Sequence, residues 1–145
     1  AILATALDSG RAFEVFIQMV ELQGGNPSYV ESPDKLPSAK IVERLLSQNS
    51  GYVTAVDADK VGRAAFILGA GRRSREDNID FAVGVSDLKQ VGEAVSKGDS
   101  LAHIHANATE HLDEARTLLA SSFILDSSYS KPAALIKEKI TNSNL

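Results

Sequence analysis

Cysteine is absent from these 145 residues, which excludes disulfides, thiolate nucleophiles and cysteine-based metal sites. No apolar run is long enough to cross a bilayer as a helix. There is no basic excess either. Fifteen Lys and Arg stand against nineteen Asp and Glu, a formal charge of -4. That balance disfavours a general nucleic-acid or anionic-membrane binder while leaving room for a local basic patch. A hydrophobic share of 43% and a charged share of 23% argue against wholesale disorder. The length suits one core of ordinary size with a smaller appendage. The opening "AILATALDSGRAFEVF" has neither an initiator methionine nor a basic signal-peptide start, and it already reads as helix. The expectation is a piece of something longer.

Catalytic signatures are missing as well. "GAGRRSREDNID" (69–80) looks like a phosphate cradle but lacks the Lys-Ser/Thr pair that a P-loop needs after its glycines. Its glycines follow a helical pattern and precede a strand pattern, the reverse of a dinucleotide fingerprint. An anion there would meet the unfavourable carboxyl end of a helix dipole. Arg72, Arg73 and Arg75 are therefore expected to pair with Glu76, Asp77 and Asp80 in a structural corner. His103 and His105 share a face of an extended segment, but nothing in the pattern ties His111 to them, so no metal site is expected. His105 is the histidine with the best claim to a functional contact. Serines 121, 122, 127, 128 and 130 sit in no G-x-S-x-G elbow. With Lys89 and Lys97, the 72–75 cluster is too small a patch for nucleic acid and has no interleaved aromatics.

What is present is a clear succession of elements. Leu3 and Leu7, then Phe13, Phe16, Ile17 and Val20, recur at helical spacing across a break at Asp8-Ser9-Gly10, with Ser9 as a candidate cap. Gly24-Gly25 and Pro27 end this helical pair. "GNPSYVESPDKLPSAK" (25–40) holds three prolines and little periodicity, and reads as a semi-ordered linker. "YVTAV" (52–56) and "FILD" (123–126) read as strands, as does "IVERLL" (41–46), which also fits a helix turn. Asp57 caps a helix carrying Val61, Ala64, Ala65 and Leu68, which Gly69 stops. "IDFAVGV" (79–85) alternates most cleanly, with Ile79, Phe81, Val83 and Val85 on one face. Gly92 and Gly98 flank two short extended pieces, the second at 101–106. Asn107 and Glu110 fit a capping box for a helix with Leu112, Ala115, Leu118 and Leu119. A last short element is expected around 134–140. Short strands outnumber helices, and the class is α+β. The expected organisation is a helical pair at 1–25, a linker at 26–40, an α+β domain at 41–140 and a frayed tail at 141–145.

The segments "GRAFEVFIQMVELQGGNP" (10–27), "SGYVTAVDADKVGRAAFILGAGRRSREDNIDFAVGV" (50–85) and "VGEAVSKGDSLAHIHAN" (91–107) resemble the C-terminal part of the thymidine and pyrimidine nucleoside phosphorylases. The order and spacing of "SGYV", "LGAGR", "IDFAVG", "VGEAVSKGD" and "HIHAN" carry the resemblance. It implies a mixed-sheet domain with flanking helices, similar to the β-hammerhead and barrel-sandwich arrangement, behind a helical pair that adjoins a larger catalytic body. The parent reaction implied is phosphorolysis of a pyrimidine nucleoside to free base and pentose 1-phosphate, in nucleoside salvage. Inorganic phosphate is the co-substrate of the parent, and no cofactor belongs to this stretch.

In that family the phosphate loop, the base-contacting arginine and lysine and the catalytic histidine lie in two earlier domains, and none of their motifs occurs here. The resemblance therefore implies no catalytic, substrate-binding or metal residue in this chain. Arg72, Arg73, Asp77, Asp80 and His105 are left as interdomain or structural contacts. The implied partners are the all-α and α/β domains of the same chain, in a cytoplasmic homodimer without nucleic acid or membrane. Two alternatives stand beside it. One is a freestanding anion- or partner-binding module using the arginines at 72, 73 and 75. The other is a swinging-arm carrier modified at Lys60 or Lys97, which the placement of "DADK" (57–60) at a helix start disfavours.

Overall fold

The computed structural model describes residues 2–72, 74–129, 131 and 134–138. The chain divides into two compact units, residues 1–38 and 39–145.

The first unit is helical. Helix α1 (Ile2–Asp8) and helix α2 (Arg11–Leu22) are separated by Gly10, which takes a left-handed φ of 77° and holds the position before α2. Ser9 sits one residue too early to be that cap, although its Oγ accepts the Arg11 N–H at 3.4 Å. The stretch read as a linker folds further than expected. Pro27 precedes the single turn α3 (Ser28–Glu31), and Pro33 opens a 3-10 turn through Lys35. Proline suits the start of such turns, because its missing N–H and fixed φ cost nothing there. No described side chain of this unit is buried.

The second unit is α+β, as its pattern of short strands predicts. Strands β1 (Ile41–Leu46), β5 (Ser100–Ala106) and β3 (Gly84–Ser86) form one sheet in the order β1-β5-β3. Strands β4 (Ala94–Val95), β2 (Gly51–Val56) and β6 (Phe123–Asp126) form the other, in the order β4-β2-β6. Every pairing is antiparallel, and the described strands close no barrel. The core gathers Val53, Ala102, Ile104, Ala106 and Leu119, with Ala64 of helix α4 (Ala58–Ala65) and Ala115 of helix α5 (Leu112–Ala120). These two alanines have no exposed surface, so the contacting helices approach without a bulky side chain between them. Strand β1 alternates as a half-buried strand should. Its inward Glu43 meets Arg116 of α5 at 2.5 Å, and Arg116 also bonds Asp113.

Helix α4 starts as read. Asp57 accepts the N–H groups of Asp59 and Lys60, at 3.1 and 3.2 Å. The helix widens into a π-helical turn over Phe66–Ala70 and stops at Gly69, whose φ of 109° is closed to most side chains. Gly71 is fixed by contact instead, since a Cβ there would overlap the Phe66 ring.

Three expectations are corrected. Residues 79–83 are not strand; only Gly84–Ser86 joins the ladder. Asp80 accepts the Ala82 N–H at 3.0 Å and gives its own N–H to the Gly69 carbonyl, so the backbone turns where alternation predicted extension. Phe81, grouped by that alternation on one face with Val83 and Val85, is 82% exposed. Asn107 forms no capping box, because its amide is committed to distant partners and α5 begins at Leu112 behind an uncapped His111. Residues 134–138 hold neither helix nor strand, and the rest of that expected element, with the tail at 141–145, lies outside the described residues.

Candidate functional site

Two polar clusters in the 39–145 unit bring chemistry-bearing side chains together. The first is the corner after α4. Asp77 accepts the Ser74 N–H at 3.0 Å and the Ser74 hydroxyl at 2.8 Å. Asp80 accepts the Ala82 N–H and, at 2.7 Å, the Asn107 side-chain amide. Those two bonds, Asn107 first, hold the Asp80 carboxyl below its ordinary value. Ser74 thus bonds Asp77, and Asn107 bonds Asp80. Arg72 and Arg75 are exposed and join no ion pair among the described residues, and Arg73 lies outside those residues. An open hollow of about 390 Å³ beside this corner is lined by Phe66, Leu68, Gly69, Asp77 and His111. A carboxylate and the carboxyl end of a helical segment meet there, which is an unfavourable setting for phosphate.

The second cluster lies between β3 and β5. His103 and His105 do share a face, as two residues of one parity on a strand must. Ser86 stands opposite His103 in the register. The Ser86 Oγ lies 2.8 Å from His105 Nε2 and donates to Asp87 Oδ2 at 2.9 Å. Asp87 Oδ2 also meets His103 Nδ1 at 2.8 Å. These contacts, His103 first and Ser86 second, depress the Asp87 carboxyl.

Serine, histidine and aspartate together invite comparison with a nucleophilic triad, but the connectivity is wrong. A triad sets serine and carboxylate on opposite nitrogens of one imidazole. Here the carboxylate and the serine use different histidines. A hydroxyl carries one proton, and Ser86 gives it to Asp87, so His105 Nε2 must donate to Ser86 and does not act as its base. The cluster joins two strands and does not activate an oxygen.

His111 is separate from the β3–β5 cluster; it lines the hollow beside the first and lies 3.7 Å from Glu114. Among the described residues, no group of three or more His, Asp and Glu is arranged to hold a metal. Sequence reasoning missed Ser86 and Asp87, whose partners become visible only once the β3–β5 register is known.

The comparisons bear on the region that carries both clusters. Residues 52–126, from β2 through β6, match the family described as the pyrimidine nucleoside phosphorylase C-terminal domain. The chain is similar to the pyrimidine-nucleoside phosphorylase of Geobacillus stearothermophilus, 40% identical over 139 residues, covering 96% of this chain and 32% of the relative. It is similar to the Staphylococcus epidermidis protein of the same name, 38% identical over 135 residues (93% and 31%). For the Staphylococcus aureus protein the figures are 39% over 126 residues, or 87% and 29%. The chain thus spans about a third of the length of the curated relatives it matches. It belongs to the pyrimidine nucleoside phosphorylase C-terminal domain family.

Proposed function

We propose that this chain is the accessory terminal part of a pyrimidine-nucleoside phosphorylase and performs no turnover by itself. The parent reaction is phosphorolysis, in which inorganic phosphate displaces a pyrimidine base from a pentose to leave the 1-phosphate. The observation that carries this reading is the match of nearly the whole chain to about a third of each relative. Phosphorolysis needs phosphate and nucleoside held in near-attack geometry, with fixed donors aimed at the charge that develops on the base. Neither polar cluster supplies such a set.

In this reading residues 1–25 belong to the edge of the catalytic body and 26–40 cross from it. Residues 41–140 form the terminal domain that braces it. Half-exposed Phe13 and Phe16 on α2 fit a surface meant to be covered. Arg72, Arg73, Asp77, Asp80 and His105 serve as structural or interdomain contacts. The parent is a cytoplasmic homodimer, assembled through a domain this chain does not contain.

The test is a phosphorolysis assay on a longer protein carrying this sequence. It should release uracil or thymine from a nucleoside only when phosphate is supplied, and failure to do so overturns the reading. The exposed Arg72 and Arg75 favour a second reading, a module that grips an anion or an acidic partner. That reading requires salt-sensitive binding lost when both arginines are replaced.

A further inference from the structure

Asn107 follows the last residue of β5, yet its side chain reaches two segments far away in sequence. Its Oδ1 accepts the backbone N–H of Lys40 at 2.8 Å, where the chain comes into the 39–145 unit. Its Nδ2 donates to Asp80 Oδ2 at 2.7 Å, in the corner that follows α4. Chemistry fixes the orientation of the amide, since a backbone N–H can only donate and a carboxylate can only accept. The other Asp80 oxygen holds the Ala82 N–H, and the Asp80 N–H holds the Gly69 carbonyl.

We infer that Asn107 is a positioning residue that couples the chain entering β1 at Lys40 to the 69–82 corner, so that loosening either side loosens the other. Only asparagine suits the place. Alanine offers neither bond. Aspartate keeps the acceptor for Lys40 but sets a second carboxylate against Asp80. Glutamine carries the amide one methylene too far from both partners. The depressed Asp80 carboxyl accords with a charge-assisted bond from the Asn107 amide. The inference does not depend on the phosphorylase reading, because it concerns bonds within this unit alone.

Site-resolved amide hydrogen exchange on the 145-residue chain tests it, with the amides of α5 as the internal control for folding. Asp80→Ala should raise exchange at Lys40 about tenfold, the scale of one charge-assisted hydrogen bond, although no bond runs directly between those residues. Asn107→Asp should loosen Asp80 and Ala82 by a similar factor. The swapped pair Asp80→Asn with Asn107→Asp should restore protection at both sites. In it the amide introduced at position 80 donates to the carboxylate introduced at position 107, while the carbonyl of that amide accepts from Ala82. Lys40 protection unchanged in Asp80→Ala overturns the coupling. A swapped pair that exchanges as fast as Asn107→Asp overturns it as well.

Discussion

The helical residues 1–38 contain no buried side chain among those described, whereas residues 39–145 close a core around Val53, Ile104 and Leu119. Both regions carry apolar residues at the spacing their elements require, so the difference lies in partners rather than composition. In the larger unit two sheets and two helices present their apolar faces to one another. In the smaller, Phe13 and Phe16 remain 49% and 46% exposed. An amphipathic pattern therefore identifies a face that can be covered; it does not identify what covers it.

The widest separation between the two regions should appear on core truncation. Leu119→Ala, at a side chain with no exposed surface, is expected to cost about 2–5 kcal/mol in urea unfolding. Phe16→Ala should change the same transition by less than about 0.5 kcal/mol. Equal costs would break the comparison. Next in size is the cap on α4: Asp57→Ala should cost about 1 kcal/mol, since two backbone N–H groups lose their acceptor. Arg116→Ala should cost about 1 kcal/mol or less, because its contact with Glu43 is more than a third exposed, and the cost should shrink further in salt.

The smallest expected effect is a matter of pH. Asp80 and Asp87 both have depressed carboxyls in the folded state, Asp80 chiefly through Asn107 and Asp87 chiefly through His103. Their stabilisation is complete above the unfolded carboxylate value of about 4 and falls away as pH drops through the lower folded values. Asp87→Asn should flatten the acid-unfolding profile in that window. Asparagine is the right probe because Asp87 has a left-handed φ of 52°, which asparagine tolerates.

How far the sequence foretold this structure depended on the reach of each signal. Asp57 caps its own helix two and three residues on, Gly69 stops the same helix, and β2 and β6 are short runs of β-forming residues; all were legible. The alternation at 79–83 misled because one side chain, Asp80, bonds the backbone two residues on and turns the chain. Asn107 reads locally as a helix cap because its partners lie 27 and 67 residues away. The contacts of Ser86 and Asp87 needed the register of a strand pair, which no local pattern encodes. The candidate site was legible mainly as a list of residue types, and its bonding was not.

The central claim is that the 145-residue chain braces chemistry it does not perform. Incubating the purified chain with uridine or thymidine and inorganic phosphate, and following free base by chromatography, tests this most directly. The account predicts no base above the level seen without protein; phosphate-dependent release of uracil or thymine that scales with the amount of this chain would contradict it.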